Sequence, residues 1–479
     1  MRRARGAMLP LVPVPRVRRR DLYQALRTGI LGGMLAPGER LPSSRQAAAD
    51  YGVSRGMVEE AFTQLTDEGF LRRTVGRGTF VSERVRPKPG SPLRRAGSPR
   101  PPSRRGAGLA SHAACREPPV ARAFNSGIAD AREFPWKVWQ RLQARVCREN
   151  GPLAMGLADP RGVPELRAAI ARHLAQFRAI RCRAENVVVF NSAQQAIHLL
   201  AMLLLEREDT VWIEDPGYPG ARAAFELAGA RAVPIPVDDD GLTVEAGVHS
   251  APRARMAYVT PPHQYPTGVM LGFDRRLALL EWASRSDAWL IEDDYDGEFR
   301  YSGQPLTTLH ALDPGARVLY VGTLSKATFL SLRLAYAVVP EELVEPLANL
   351  RTQLDGFSSA LPQLVASRFM EEGHFSSHLR RMRSIYGGKR AELVEGLESL
   401  SSSGWRWSSN PAGFHLLLHH ESGDLVRRAA ARSGLDLALL SSYRMRSKRD
   451  DGLFLRFGGL PVPELRAAIP RLLADIRRA

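Results

Sequence analysis

The residue with the clearest chemical potential is Lys326, which follows an apolar run at residues 318–321 that is typical of a buried strand. A second apolar run, residues 334–339, begins after a short turn. Burying an ammonium group costs free energy, so packing alone does not explain a lysine at this place. A neutral amine that bonds covalently to a carbonyl cofactor would explain it. The alternative is an ordinary lysine on a surface loop.

Groups that bind phosphate occur at two places in the sequence. Two hydroxyls and one guanidinium flank the lysine, and a guanidinium binds phosphate through charge-assisted hydrogen bonds. The second place follows the predicted strand in "ENVVVF", where a helix begins and its N–H groups and dipole favour a phosphate. The candidate phosphate ligands are Thr323, Ser325 and Arg333 near the lysine, and Ser192, Ala193 and Gln194 at the helix start.

An acidic cluster in "LIEDDYDGEFRY" follows the predicted strand that ends at residue 291. Ligands of open α/β sheets bind at this end of the strands. A carboxylate there would pair with a protonated pyridine nitrogen, and we assign this role to Asp293. Tyr295 is predicted to hydrogen-bond an oxygen attached to the same pyridine ring. Tyr218, in "EDPGYPGAR", is predicted to cover the face of that ring. The segment "TPPHQYPTG" likewise places polar and aromatic groups in a turn after an apolar run.

The order "EDPGYPG … PPHQYPTG … EDDYDGEFRY … YVGTLSK … LR" resembles that of the fold-type I aminotransferases. It resembles more closely the MocR/GabR family of bacterial transcription regulators, over residues 21–81 and from residue 124 to the C-terminus. This resemblance implies an α/β aminotransferase-like domain with a smaller C-terminal α/β subdomain. It also implies pyridoxal 5′-phosphate as the cofactor, with Lys326 forming the Schiff base and Asp293 at the spacing of the family's pyridine-pairing carboxylate.

Three residues depart from the pattern of that family. Leu330 stands where the family usually has proline, and Ser192 and Ala335 stand where it usually has glycine. A serine is tolerated at residue 192 only if the backbone angle there is ordinary. We therefore expect cofactor binding with a slightly altered loop geometry.

The N-terminal part of the chain has the pattern of a winged helix-turn-helix. A helix is predicted from Asp21, a second from Ser43 or Ser44, and a third from Ser54 to about residue 68, before two strands around a Gly-Arg-Gly tip. The segment resembles the GntR-type winged helix, which implies a DNA operator as partner, with helix starts in the major groove and the wing near the minor groove. A small protein-interaction module is the alternative. The DNA-binding candidates are Arg45, Ser54, Arg55, Gly78 and Thr79.

The composition of the 479-residue chain agrees with a nucleic-acid partner, because the formal net charge is +17. An arginine-rich proteome is the alternative explanation of that charge. The cysteines, Cys115, Cys147 and Cys182, have no metal-ligand spacing and favour a reducing cytoplasm, so we predict no metal site. The sequence contains no run of roughly 20 apolar residues, so no membrane span is predicted.

The chain is expected to have four regions. Composition predicts a disordered basic arm at residues 1–20 and a semi-extended linker rich in Pro, Arg and Ser at 82–120. The helix-turn-helix pattern places the winged helix at 21–81, and the resemblance implies an aminotransferase-like domain at 121–479. Strands and helices alternate up to Lys326, which predicts a doubly wound parallel sheet. The smaller C-terminal subdomain is expected at about residues 401–479.

Two arginines are candidates for binding the carboxylate of an effector. Arg456, in "FLRFGG", resembles the arginine that binds the substrate carboxylate in fold-type I aminotransferases, with nearby Arg444 as a rival. Arg222 is the weaker candidate, because the second carboxylate contact of GABA-responsive members of the resembling family falls nearer Gly220. The alternative for Arg222 is that it caps a helix or pairs with Glu226 on the same helix. The expected effector is an amino acid or ω-amino acid with a primary amine and a free carboxylate.

These predictions favour a cytoplasmic, pyridoxal-phosphate-dependent transcription regulator, which by resemblance forms a head-to-tail homodimer. An amino-acid or amine effector would displace Lys326 from the cofactor by aldimine exchange, and the change would reach the DNA through the linker. The first alternative is an active aminotransferase with a DNA-binding appendage, which needs the same lysine. The second alternative is a regulator whose large domain has lost its cofactor.

Overall fold

The computed structural model describes residues 19–85, 101–110, 122–125, 127, 129–303, 306–313, 315–446 and 448–478. The chain divides into two compact units, Met1–Ser103 and Arg104–Ala479. The predicted basic arm lies outside the described residues up to residue 18, as does most of the predicted linker.

Three helices and a two-stranded hairpin form the first unit. Its elements are α1 (Arg19–Leu31), α2 (Ser44–Tyr51), α3 (Arg55–Asp67), β1 (Leu71–Thr74) and β2 (Gly78–Val81). The first helix begins two residues before Asp21, so Asp21 does not cap it. The strands are antiparallel, and Leu71 is opposite Val81. Apolar residues at helical spacing on α1 pack with residues of α3 and the hairpin to form one buried core.

The described part of the predicted linker contains one short helix, α4 (Arg104–Ala110), which belongs to the second unit. The expectation of a semi-extended linker is therefore wrong for these residues. The helix lies beside a later helix, α8 (Pro219–Ala228), and this neighbour gives it a packing surface that local composition does not predict.

The second unit is built on an eight-stranded sheet in the order β3-β10-β9-β8-β7-β4-β5-β6. The central strands β5, β4, β7, β8 and β9 are parallel to one another, as predicted. The strands are β3 (Val187–Phe190), β4 (Thr210–Asp215), β5 (Arg231–Asp238), β6 (Gly241–Leu242), β7 (Met256–Val259), β8 (Trp289–Asp294), β9 (Val318–Thr323) and β10 (Ala335–Val338).

The strand after Lys326 departs from the predicted parallel sheet. Strand β10 runs antiparallel to both β9 and β3. Only residues 324–334 separate β9 from β10, and so short a connection returns the chain in the opposite direction instead of crossing over a helix. The loop that carries Lys326 is therefore tied at both ends to neighbouring strands of the same sheet.

Helices cover both faces of this sheet. Buried side chains of β3, β4, β9 and β10 pack with α7, α8 and α12 in one core, and those of β5, β7 and β8 pack with α9 and α10 in another. The helices are α5 (Trp136–Met155), α6 (Pro164–Phe177), α7 (Ala193–Leu204), α8, α9 (Val244–Ser250), α10 (Phe273–Arg285), α11 (Leu309–Leu312), α12 (Glu341–Leu354), α13 (Ala360–Glu371) and α14 (His374–Leu397).

A smaller antiparallel sheet follows α14, in the order β11-β12-β14-β13. Its strands are β11 (Arg406–Trp407), β12 (His415–His420), β13 (Ala438–Leu439) and β14 (Asp451–Arg456), and its helices are α15 (Gly423–Ser433) and α16 (Val462–Arg477). Arg456 ends β14, where it pairs with His415. Among the described residues, no helix is long and apolar enough to cross a membrane.

Candidate cofactor site and DNA-binding surface

One cavity of about 590 Å³ opens at the ends of β8 and β9, where the sequence predicts the ligand site. Strand β8 ends with the acidic cluster, β9 leads into the lysine loop, and α7 begins with the predicted phosphate-binding residues. The predicted cofactor residues that line this cavity are Ser192, Ala193, Gln194, Tyr218, Asp293, Tyr295, Thr323, Ser325, Lys326 and Arg333. The fold therefore brings together residues that are distant in the sequence.

The buried carboxylate of Asp293 has one satisfied oxygen and one unsatisfied oxygen. Its Oδ2 accepts a hydrogen bond from the hydroxyl of Tyr258 at 2.6 Å. Its Oδ1 is buried and has no hydrogen-bond partner among the described residues. Burial raises the pKa of Asp293 to about 6, although Tyr258 and Lys326 act in the opposite direction. A protonated ring nitrogen placed against Oδ1 would satisfy this oxygen, so the site fits a pyridoxal cofactor.

The ring of Tyr295 lies next to Lys326 on the wall of the cavity. The Nζ atom of Lys326 is 4.5 Å from the centroid of this ring, a distance at which an ammonium group interacts with the π face. Burial raises the pKa of the Tyr295 hydroxyl well above 10, and Asp296 is the next largest cause. Tyr295 therefore keeps its proton and can act as a hydrogen-bond donor toward the cavity.

The hydroxyl groups of Thr323 and Ser325 form hydrogen bonds within the lysine loop. Ser325 Oγ donates to the carbonyl of Leu334 at 3.2 Å and accepts from its N–H at 3.1 Å. Thr323 Oγ1 donates to the same carbonyl at 3.3 Å. Both side chains line the cavity, yet their hydroxyl hydrogens point to backbone. Besides Lys326, Arg333 is a cationic residue of this loop that lines the cavity.

Arg333 adopts a backbone conformation that is uncommon for a residue with a side chain. Its φ and ψ are 54° and 47°, in the left-handed region. Such a conformation costs free energy outside glycine and is often retained at functional sites. Here it occurs where the loop turns into β10 and the exposed guanidinium lines the cavity.

The start of α7 has the geometry that a phosphate site requires. Ser192 is the N-cap, and its Oγ accepts a hydrogen bond from Gln195 N at 3.1 Å. Its φ and ψ of −167° and 157° are ordinary extended values, so serine replaces the expected glycine without backbone strain. The first turn of α7 therefore presents N–H groups to the cavity, as an anion site does.

Tyr218 is positioned by close contact with the helix that follows it. It is the N-cap residue of α8, and its ring lies against Gly220. A Cβ atom on Gly220 would be 2.4 Å from the ring of Tyr218 and from Gln194 Oε1, so a side chain there would displace both. Gln194 Nε2 also donates to the carbonyl of Gly220 at 2.6 Å, which joins the starts of α7 and α8.

In the first unit, the two candidate DNA-reading helices each begin with a serine cap. Ser43 Oγ accepts from Gln46 N at 3.2 Å, and Ser54 Oγ accepts from Met57 N at 3.3 Å. Of the two serines that the sequence left open for α2, Ser43 is the cap. Arg45 and Arg55 follow these caps and are exposed, as contact with DNA requires.

The tip of the wing, the β1–β2 hairpin, lies at slightly different residues from those predicted. Gly78 pairs with Thr74 in the hairpin, and its φ is 112°. L side chains rarely adopt this φ, so a substitution at residue 78 would be strained, and a Cβ atom there would also be 3.1 Å from Nε of Arg40. The tip is formed by residues 75–77, where Val75 is fully exposed. The sequence predicted a Gly-Arg-Gly tip at residues 76–78 and DNA contact by Gly78 and Thr79; in the structure Gly78 already belongs to β2, and the turn begins one residue earlier, at Val75.

Comparisons with known families match both units. Residues 18–81 match the family described as "Bacterial regulatory proteins, gntR family", and residues 129–439 match "Aminotransferase class I and II". A probable rhizopine catabolism regulatory protein, MocR, of Rhizobium meliloti is 35% identical over 95% of this chain and 92% of its own length. The chain belongs to the MocR/GabR family. It is therefore a DNA-binding regulator with an aminotransferase domain of the pyridoxal-phosphate-dependent class.

Two further comparisons support the family and the fold. The pyridoxine biosynthesis regulator PdxR of Corynebacterium glutamicum is 30% identical over 91% of each chain. A kynurenine aminotransferase of Pyrococcus horikoshii, solved in complex with PMP, is 25% identical. It covers 74% of this chain and 90% of its own length, with a TM-score of 0.68. The predicted fold class, a GntR-type helix-turn-helix unit followed by a fold-type I aminotransferase domain, is thus confirmed, as is pyridoxal phosphate as the cofactor of the large domain.

In this MocR/GabR-type regulator, only one of the two predicted effector arginines lines the cavity. Arg456 lines it, whereas Arg222 does not, and Arg222 Nε donates to Glu226 Oε1 at 2.7 Å. The alternative that the sequence left open, a pair along one helix, is what the structure shows. The rival Arg444 is held by Asp450, through Oδ2 at 2.5 Å and the carbonyl at 2.6 Å. We therefore do not assign effector binding to Arg222.

Sequence reasoning missed two tyrosines of this cavity. Tyr258, near the end of β7, holds Asp293, and Tyr265 lies in the "TPPHQYPTG" turn that follows β7. The ring of Tyr265 contacts those of Tyr218 and Tyr295 edge-on, at centroid distances of 5.8 and 5.6 Å. The position of both tyrosines at or just after the C-terminal end of a parallel strand was the signal that could have found them.

Proposed function

We propose that this regulator senses an amine that also carries a carboxylate, and that the cofactor cavity is the sensing site. The observation that carries the proposal is that Lys326 and Arg456 line the same cavity of about 590 Å³. An amine that binds covalently at one end and a carboxylate at the other requires both groups in one site. The volume is suited to a cofactor with a small ligand.

The residues of the cavity divide into those that hold the cofactor and those that hold the ligand. The bound cofactor supplies an electrophilic aldehyde carbon, to which a primary amine can bond. Asp293 would pair with its ring nitrogen, Tyr295 would donate to its ring oxygen, and Tyr218 would cover its face. Arg333 and the first turn of α7 would bind its phosphate. Lys326 would hold the cofactor until the amine of an effector replaces it.

Arg456 is preorganised to bind a carboxylate. Its Nη2 donates to the hydroxyl of Tyr443 at 2.7 Å, and its Nη1 donates to the carbonyl of Asn125 at 3.2 Å. The guanidinium also lies over the ring of Phe454, 4.8 Å from the centroid. These contacts fix the planar group, and a fixed guanidinium loses less entropy when it binds a carboxylate.

Arg456 also connects the proposed ligand site to the segment at residues 124–125. Its N–H donates to the carbonyl of Phe124 at 3.1 Å, and its side chain bonds the neighbouring Asn125. This segment lies in the second unit, between α4 and α5. A ligand that draws the guanidinium toward itself would weaken the Asn125 contact. It shifts the protein between states only to the extent that it binds them differently.

The proposal extends to the assembly and to the place of action. Family membership supports a head-to-tail homodimer that acts on operator DNA in the cytoplasm. Sedimentation of the full chain with its cofactor tests the assembly, because a dimer has twice the mass of the 52.9 kDa chain. A monomer at the concentrations used for DNA binding would contradict it.

Catalytic transamination is the second candidate function. The likeness to aminotransferases extends through the cavity-bearing domain, and transamination would require the same lysine. Turnover with an amino donor and a keto-acid acceptor would support it.

The experiment that tests effector sensing is a titration of the cofactor-loaded protein with amines, followed by visible absorbance. Carboxylated amines should change the spectrum at lower concentration than alkylamines of equal length. Equal potency of both classes would contradict the proposal, because Arg456 would then contribute nothing to recognition.

A further inference from the structure

Two buried side chains lie behind Tyr295 and have no role in the proposed function. His263 is 3% exposed and Asp296 is also 3% exposed. His263 Nδ1 is 2.8 Å from Asp296 Oδ2 and 3.1 Å from the hydroxyl oxygen of Tyr295. One ring nitrogen thus faces a carboxylate and a phenol at the same time.

The hydrogen on that nitrogen can be assigned from the partners of His263. An ionised carboxylate can only accept hydrogen bonds, so Nδ1 carries the hydrogen that it shares with Asp296. The neighbouring carboxylate thereby selects the tautomer of the imidazole, as a partner of a histidine nitrogen generally does. Nδ1 then has no lone pair left to accept a hydrogen from Tyr295. The phenol oxygen can only accept from Nδ1–H, and its own hydrogen must point elsewhere.

The hydroxyl hydrogen of Tyr295 is therefore left to point into the cavity. Tyr295 lines the cavity beside Lys326, and its burial keeps the phenol protonated. The charged or titratable groups that face Tyr295 or His263 are Glu214, Tyr265, Asp293, Asp296, Lys326 and His415.

We propose that His263, oriented by Asp296, is a positioning residue that directs the hydroxyl hydrogen of Tyr295 toward the ring oxygen of bound pyridoxal phosphate. His263 acts through Tyr295 and does not touch the cofactor. The proposal rests on the proposed cofactor role of Tyr295, and it does not depend on effector sensing or on DNA binding. A hydrogen bond donated to the ring oxygen stabilises its anionic form and lowers the pH at which the lysine–cofactor link loses its proton.

A bound metal ion is the competing interpretation of the same cluster. His263, Asp296 and His415 offer ligand atoms within 4.8 Å of one another, and Nε2 of buried His415 has no hydrogen-bond partner among the described residues. An ion bound at Nδ1 of His263 would remove the hydrogen from that atom, and Tyr295 could then donate to Asp296 instead. The two interpretations therefore assign opposite roles to Nδ1.

The test is a pH titration of the visible absorbance of the cofactor-loaded, effector-free protein. Both His263→Leu, which removes the donor, and Tyr295→Phe should raise the apparent pKa of the absorbance change, the latter by more. His263→Gln, which restores an N–H group, should recover part of the shift. Exposed His249 provides the matched control, and His249→Leu should titrate like the unchanged protein.

A double variant separates positioning from a general packing effect. If His263 acts through Tyr295, adding His263→Leu to Tyr295→Phe should shift the titration no further. An unchanged titration in His263→Leu, or additive shifts in the double variant, would overturn the proposal. If His263→Leu does not fold, a titration of His263→Gln identical to that of Tyr295→Phe would overturn it equally. One equivalent of metal in the purified protein, lost on His263→Gln, would establish the competing interpretation.

Discussion

The guanidinium of Arg456 donates a hydrogen bond to the backbone carbonyl of Asn125 at 3.2 Å, and the backbone N–H of Arg456 donates to the carbonyl of Phe124 at 3.1 Å. The side chain that would bind the effector carboxylate is thereby attached to the segment between α4 and α5. Under the proposed function, Arg456 would join ligand recognition to a change in the position of this segment.

We expect Arg456→Lys to reduce the preference for carboxylated amines over alkylamines by about 10-fold or more. A lysine keeps the charge but cannot form the two parallel hydrogen bonds of a guanidinium, and hydrogen bonds to charged groups contribute roughly 1.5–3 kcal/mol. The measurement is the concentration of each amine that gives half the spectral change. Arg222→Lys is the matched control and should leave the preference unchanged, since Arg222 pairs with Glu226. An equal loss in both variants would show that Arg456 is not the carboxylate ligand.

Replacing Lys326 by alanine should abolish the cofactor adduct that borohydride fixes to the protein. Among the residues that the structure describes, Lys326 is the only lysine that lines the cavity, so its amine is the one placed to bond the cofactor. Mass spectrometry after reduction measures the adduct, and far-ultraviolet circular dichroism checks the fold. Lys137→Ala, at an exposed position of α5, should retain the full adduct. A reducible lysine adduct that persists in Lys326→Ala would identify a different residue.

Alanine at Arg45 or Arg55 should weaken binding to the region upstream of the chain's own gene. Both side chains are exposed in the first turn of a candidate DNA-reading helix. Loss of one base-reading arginine costs about 1–3 kcal/mol. Arg406→Ala removes the same charge from an exposed side chain of the large domain and serves as the control. Affinities that match the control, measured at physiological salt, would argue against the helix assignment.

Cofactor affinity should depend on pH through Asp293. In the cofactor-free protein its pKa is raised from 3.8 to about 6, chiefly by burial, so the carboxyl is neutral below that pH. Pairing with a protonated ring nitrogen requires the carboxylate, so cofactor affinity should fall as pH drops through 6. The folding stability of the cofactor-free protein depends on pH in the opposite direction. The folded state binds this proton more tightly than the unfolded chain, so stability of the cofactor-free protein falls as pH rises from about 4 to 6.

The variant Asp293→Asn isolates this contribution. It should bind the cofactor more weakly at pH 8 and lose much of the pH dependence that the unchanged protein shows between pH 5 and 8. Exposed Asp239 is the control position, and Asp239→Asn should follow the unchanged protein. Equilibrium dialysis of the cofactor measures both effects. If Asp294→Asn gives this result and Asp293→Asn does not, the ring-pairing carboxylate is misassigned.

The sequence predicted most of the cavity because its residues follow strands, and parallel strands end at one edge of a sheet. The motifs around Lys326 and Asp293 could be placed in that way. The direction of β10 could not, because an apolar run gives no orientation, and only the short connection after β9 shows that the strand must return.

The contacts that the sequence did not predict at Arg222 and in the lysine loop have a common physical origin. Position in a motif does not reveal which neighbour a side chain prefers, and Arg222 has Glu226 one turn away. The hydroxyl of Ser325 likewise donates a hydrogen bond to the backbone carbonyl of Leu334, nine residues along the chain, because the loop brings the two residues into contact. Tyr258 was missed because a tyrosine within an apolar strand is expected to be a core residue. Its hydroxyl has a role only because the neighbouring strand β8 places Asp293 beside it.

We propose above all that replacement of Lys326 by an effector amine on the cofactor changes the affinity for DNA. One titration of the cofactor-loaded full chain with carboxylated amines, followed by both visible absorbance and upstream-DNA binding, tests this directly. Both signals should change with the same midpoint, and Lys326→Ala should show neither transition. A spectral change that reaches saturation while DNA affinity stays constant would show that the exchange at Lys326 does not control DNA binding.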